Sequence, residues 1–182
     1  MIAATQDESK LIFKASYLSE GSGSPSTVTI EQEPPDQLFS SSNGELLVSG
    51  GKTYYCSSSN GKETCIIYGS AADSPMALVM GVFAGSTYAT IMQGWQTIVG
   101  AGLTGFHFSV TSQSFAGQAS QCGNWSYQGS GEKYCITDSG VLAYVGTTSG
   151  STLSTTFELT SFSTNVSSSD FNVPAGAIIT SL

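Results

Sequence analysis

The chain has 182 residues, a length that fits one domain, since domains commonly run to about 100 to 200 residues. Hydrophobic residues make up 40% and aromatics 10%, enough for a core, so a charged fraction of only 10% does not signal disorder. A net charge of -8, five scattered lysines (Lys10, Lys14, Lys52, Lys62, Lys133) and no arginine argue against nucleic acid as a partner and against binding to an anionic membrane surface.

The first third reads as a meander of short strands: Ile12 to Ser19, Thr27 to Glu33, Gln37 to Ser42, Glu45 to Ser49, Lys52 to Ser57 and Thr64 to Tyr68. Turn chemistry separates them, at Gly21 to Pro25, Pro34-Pro35-Asp36, Asn43-Gly44, Gly50-Gly51 and Asn60-Gly61. Val28 and Ile30 alternate with Thr27, Thr29 and Glu31, so this strand has one buried and one wet face. The same region carries Asp7, Glu8, Glu20, Glu31, Glu33, Asp36, Glu45 and Glu63, which form either a solvated face or a docking face for a cationic partner.

Asn60-Gly61 is the dipeptide of a type I′ hairpin turn, and counting outward from it pairs Ser59 with Lys62, Ser58 with Glu63, Ser57 with Thr64 and Cys56 with Cys65. That last pair falls at a non-hydrogen-bonded site, where Cα atoms approach to about 4.5 Å and a disulfide fits. Cys122 and Cys135 flank a turn-rich stretch, Gly123 to Glu132, and invite the same pairing with a less defined register. Residues 1–6 are too short and uncharged for a signal peptide, so the expectation of an exported, extracytoplasmic protein rests on the two disulfides.

At Ser74-Pro75 a capping serine precedes a proline suited to the first helical position. Leu78, Val82 and Val79, Phe83 then recur at four-residue spacing. After a break at Gly85-Ser86 the pattern continues through Tyr88, Ile91, Met92, Trp95, Ile98 and Val99, ending at Gly100 to Gly102. Ser86, Thr87, Gln93 and Gln96 interrupt the segment, and its unbroken apolar run from Met76 to Phe83 is too short for a membrane span. Strands resume at Phe106, Phe108 and Val110 and continue with Lys133 to Thr137, Val141 to Val145 and Thr152 to Ser163. One helical insert between two sets of hairpins is an α+β pattern.

No catalytic constellation emerges. Gly100-Ala-Gly-Leu-Thr-Gly105 matches the dinucleotide pattern letter for letter but leaves a helix and enters a strand, the reverse of what pyrophosphate binding needs. The nucleophile-elbow pattern is absent, His107 is the single histidine, and the cysteine spacings are not those of a zinc knuckle, so no cofactor and no metal are expected. The apolar segment Met76 to Val99 either closes an ordinary core or forms one wall of a ligand cavity.

Several stretches resemble the LolA/LppX-like lipoprotein carriers: Thr29 to Leu38, Gly50 to Cys56, Tyr134 to Leu142, Leu159 to Ser163 and Asp170 to Pro174. The resemblance implies an incompletely closed antiparallel β half-barrel, with a helical segment covering its concave face, that carries an acyl chain, glycolipid or lipoprotein without catalysis. Such carriers are often tethered by a lipidated cysteine near the N-terminus. No cysteine precedes Cys56, so either residues 1–8 are the flexible remnant of a tether in the cell envelope or the protein is freely secreted, and a monomer is expected. Leu78, Val82, Phe83, Tyr88, Trp95, Phe106 and Phe108 are the expected lining of the lipid site. The competing expectation is a sensor or scaffold domain that binds a protein, similar to periplasmic regulators of sigma-factor release.

Overall fold

A computed structural model describes residues 10–20, 24–70, 75–102 and 104–181. Residues 1–8, expected as a tether remnant, the expected Ser74 cap and most of the expected Gly21 to Pro25 turn lie outside the described residues. Among the described residues twelve strands and two α-helices follow one another in the order β1 (Phe13–Ser19), β2 (Ser26–Glu33), β3 (Asp36–Ser41), β4 (Gly44–Ser49), β5 (Lys52–Ser59), β6 (Lys62–Ser70), α1 (Met76–Phe83), α2 (Gly85–Gly100), β7 (Phe106–Phe115), β8 (Gln118–Tyr127), β9 (Ser130–Thr137), β10 (Leu142–Ser149), β11 (Thr152–Ser163) and β12 (Ile178–Ser181). The strands form one open mixed sheet, ordered β12-β6-β5-β4-β3-β2-β1-β11-β10-β9-β8-β7. β12 runs parallel to β6, and consecutive strands of the hairpins run antiparallel. The chain divides into two compact units.

One unit is built from Ser26–Gly81 with the flanking segments Ser9–Ser16 and Ser161–Leu182. Its meander follows the turn chemistry closely. At β5–β6, Ser59 pairs with Lys62 and Cys56 with Cys65, while Asn60 and Gly61 take φ values of 52° and 72°. The Cys56–Cys65 disulfide forms across that register with the Cα atoms 4.0 Å apart. At β3–β4 the turn comes one residue earlier than Asn43-Gly44 suggests, because Ser41 pairs with Gly44 and leaves Ser42-Asn43 as the loop. Gly44 is fixed there by close approach, since a Cβ on it would meet the Cys56 carbonyl oxygen at 2.5 Å.

Two cores flank this meander. Leu38, Leu47 and Phe171 form one, with Tyr54, Val166 and Val173 against them. Phe171 arrives on a short 3-10 turn, Ser168–Phe171, which the Ser167 hydroxyl caps by accepting from the Ser169 N–H. Met76 at the start of α1 packs on Leu46 and Val48 in the other. Glu31 departs from the acidic-face expectation, because it is only 4% exposed and receives the Lys14 ammonium at 2.7 Å. Asp170 lies 3.8 Å from the same ammonium. Burial raises the Glu31 pKa although Lys14 opposes it, and among the described residues its second oxygen meets no hydrogen-bond donor.

The other unit comprises the described parts of Tyr17–Pro25 and Val82–Thr160. Ala84 breaks the helical segment, adopting an extended conformation and bridging to Val141 just before the expected Gly85-Ser86 break. The Gly123 to Glu132 stretch is where the sequence misleads most, since it contains the second half of β8, the Gln128-Gly129 turn and the start of β9. Two of its glycines mark tight packing inside strands. A Cβ on Gly123 would collide with the Met92 thioether and press on Phe108 at 3.1 Å, and one on Gly131 would collide with the Trp125 carbonyl. Cys122 and Cys135 are paired in register and joined by the second disulfide, with Cα atoms 4.0 Å apart. The two disulfides fit an oxidising, extracytoplasmic compartment. Among the described residues no helix is long and apolar enough to cross a membrane.

Candidate functional site

An antiparallel register places Phe39 of β3 opposite Leu46 of β4, and Leu46 opposite Tyr55 of β5. Residues directly opposite in such a ladder share a face, so the three side chains form one apolar row across three strands. Val79, one helical turn after the buried anchor Met76, lies against this row together with Pro75 and Tyr68. The result is a cleft of about 410 Å³, within the range of about 300 to 1,000 Å³ typical of small-molecule sites. Its rim is polar and its wall apolar. The Tyr55 hydroxyl donates to the Asn43 carbonyl at 3.1 Å, and Ser41 Oγ donates to the Gly44 carbonyl at 3.3 Å. These bonds satisfy the rim groups within the hairpin and leave Phe39, Leu46 and Val79 to face the space between sheet and helix. Among the described residues no charged side chain lines the cleft. Such a surface gains free energy by taking apolar groups out of water, at about 25 cal/mol per Å².

The residues expected to line a lipid site from the sequence have other surroundings. Leu78 is 76% exposed, and Val82 is also exposed. Phe83 is buried, with its ring centroid 4.8 Å from that of Tyr17 and 5.1 Å from that of Phe157. Tyr88, Trp95, Phe106 and Phe108 do come together, around two partners that the sequence reading did not single out, Trp125 and Tyr134. Trp95 sits 5.9 Å from Phe108, 5.8 Å from Trp125 and stacks on Tyr134 at 5.1 Å, centroid to centroid. Phe106 stacks on Trp125 at 5.6 Å, and Tyr88 lies 4.8 Å from Tyr134. Glu132 orders this cluster from its edge, accepting from Trp125 Nε1 at 3.1 Å and from the Tyr134 hydroxyl at 2.7 Å. Burial raises the pKa of both Tyr88 and Tyr134, so both rings stay neutral phenols at physiological pH. Trp95 and Tyr88 are buried within the cluster, while Phe108 and Trp125 also border a more polar cleft of about 450 Å³ with His107, Ser109, Asn124, Ser126 and Thr148.

No protein-family model matches this chain. No curated protein matches it either. Among solved structures it is similar to MucB, at 16% identity and a TM-score of 0.48 over 92% of this chain and 58% of that one. It is also similar to PNGF-II, at 11% identity and a TM-score of 0.42 over 93% of this chain and 30% of that one. The chain therefore spans less than two thirds of either protein, and likeness this distant carries no functional argument.

Phe39, Leu46, Tyr55 and Tyr68 were not singled out from the sequence, although a signal for three of them existed. Once the β3–β4 turn is set at Ser42-Asn43, the register alone aligns Phe39, Leu46 and Tyr55. Setting the turn one residue later shifts the pairing by two and would set Phe39 opposite Val48, on the same face but out of line with Tyr55. Among the described residues, no group of three or more His, Cys, Asp or Glu side chains is placed to hold a metal ion. His107 stands on β7 opposite Ser126 and is exposed.

Proposed function

We propose that this chain is a non-enzymatic extracytoplasmic binding domain that shelters an acyl chain or similar apolar moiety in the cleft between β3–β5 and α1. The observation that carries the reading is the cleft of about 410 Å³ that Phe39, Leu46, Tyr55, Tyr68 and Val79 wall among the described residues. Each methylene buried there contributes about 0.8 kcal/mol, so about ten methylenes gain about 8 kcal/mol before the cost of association is subtracted. In this reading the open sheet is the half-barrel of a LolA/LppX-like carrier, its helical segment forms the cover, and the cargo is a lipid or a lipidated protein.

A titration with the neutral fluorophore N-phenyl-1-naphthylamine, followed by displacement with oleic acid, tests the proposal. A saturable signal that oleic acid displaces, and that Val79→Glu weakens at least tenfold (about 1.4 kcal/mol), supports a ligand in this cleft. Absence of uptake by a folded, disulfide-intact protein overturns it and turns attention to the competing role, a sensor or scaffold that binds another protein.

A further inference from the structure

β7 ends the sheet, and among the described residues it hydrogen-bonds to a single neighbouring strand, β8. Its ten residues pair with β8 without a break in register, from Phe106 opposite Tyr127 to Phe115 opposite Gln118. The hairpin between them turns on Ala116-Gly117, whose φ values of 48° and 75° are those of a two-residue type I′ turn. Phe115 and Gln118 therefore close the turn as a hydrogen-bonded pair, and the alternation of an antiparallel ladder fixes the rest. Phe115, Gln113, Thr111, Ser109 and His107 direct their backbone groups to β8. Ser114, Ser112, Val110, Phe108 and Phe106 direct theirs outward.

Exposed edges of this kind are normally blunted by lysine, proline, a bulge or shortness. β7 has none of these. It carries no Asp, Glu, Lys, Arg or Pro, it has no bulge, and most of it is exposed, including Val110 at 40%. The opposite edge of the sheet, β12, is by contrast a four-residue strand. The charge around β7 also restricts what can dock there. β8 has no charged residue, and β9 contributes Glu132 and Lys133, which cancel. Within a chain of net charge -8, this three-strand margin is locally neutral, so another copy of the same margin meets no like-charge barrier at the seam. It holds no cluster of either sign to attract an oppositely charged partner. A strand rich in Ser, Thr and Gln also pairs well with itself, through cross-strand hydroxyl contacts.

We infer that β7 is the interface for a second copy of this chain, the two β7 strands joining antiparallel about a two-fold axis to make one continuous sheet. The seam is isologous, as a two-fold interface requires, and it uses the outward N–H and C=O groups of Ser114, Ser112, Val110, Phe108 and Phe106 from each copy.

Sedimentation velocity on the disulfide-intact chain at about 100 µM tests this. The expected result is a species of twice the chain mass of 18.8 kDa. Ser112→Pro removes an outward N–H without touching the β8 ladder and is expected to give a monomer. Ser112→Lys, which brings two cations to the seam, is a second variant expected to do the same should the proline disturb folding. Raising NaCl from about 0.05 to 0.5 M screens the repulsion between two acidic bodies and is expected to tighten the dimer, whereas attraction to a cationic partner would weaken. A wild-type monomer at this concentration, or a dimer that survives both Ser112 substitutions, would overturn the inference.

Discussion

Truncating Trp95 to alanine separates a filled aromatic core from a ligand wall. Trp95 is 8% exposed and contacts the rings of Phe108, Trp125 and Tyr134. A tryptophan buried to this extent removes about 200 Å² from water, which at about 25 cal/mol per Å² amounts to about 5 kcal/mol. An extended-chain reference overstates that burial, while lost ring contacts add to the cost, and truncation of core aromatics typically costs about 3 to 5 kcal/mol. A loss of about 4 kcal/mol is therefore expected. Urea unfolding followed by far-ultraviolet circular dichroism reads it directly. At a slope of about 2 kcal/mol per M the midpoint falls by about 2 M, while uptake of an apolar probe by the folded fraction is unchanged. A cost below about 1 kcal/mol, together with loss of probe uptake, would refute the assignment of Trp95 to the core and restore it to the ligand site.

Three further outcomes follow from particular residues. Replacing Cys56 and Cys65 by alanine opens a loop of sequence separation 9 and is expected to cost about 2.6 kcal/mol, while replacing Cys122 and Cys135, at separation 13, costs about 3 kcal/mol by equilibrium unfolding. The pKa of Glu31 is raised in the fold by burial, so the native state holds its proton more tightly than the unfolded chain does, and the associated stability is lost as pH rises above the ordinary value of 4.5 towards the raised one. Glu31→Gln keeps an acceptor for Lys14, and is expected to flatten that dependence in thermal melts across pH 4 to 8 (about the carboxylate range), where a steeper decline would count against the argument. Gly123→Ala sets a methyl group against Met92 and Phe108, and is expected to destabilise the fold by about 1 to 3 kcal/mol and to perturb the near-ultraviolet signal of Trp95 and Trp125.

Much of the meander is legible because its turns are written in local chemistry. Asn60-Gly61 fixes the register that brings Cys56 to Cys65, and Gly50-Gly51 lets Ser49 pair with Lys52. Local chemistry fails where glycine serves packing. Gly123 and Gly131 sit inside strands because a helix side chain and a backbone carbonyl approach too closely for a Cβ, and neither approach is visible in the stretch itself. β12 was missed for a related reason, since a four-residue parallel strand is fixed by its distant partner β6 and by no adjacent hairpin. The helical period identified α1 and α2 but could not say which face each buries. Leu78 and Val82 share a four-residue spacing with Val79 and Phe83, yet the first pair is exposed while Val79 borders the cleft and Phe83 is buried. The aromatic cluster was half legible. Tyr88, Trp95, Phe106 and Phe108 meet as a group, but their partners Trp125 and Tyr134 lie on strands whose register was not defined by a recognised turn.

The most direct measurement of the central claim is native mass spectrometry of the disulfide-intact protein mixed with oleic acid, run in parallel on Val79→Glu. The expected spectra show a one-to-one adduct for the wild type and a bare chain for the variant. A bare wild-type chain, or an adduct that Val79→Glu leaves unchanged, would contradict an apolar ligand in the cleft of Phe39, Leu46, Tyr55 and Val79.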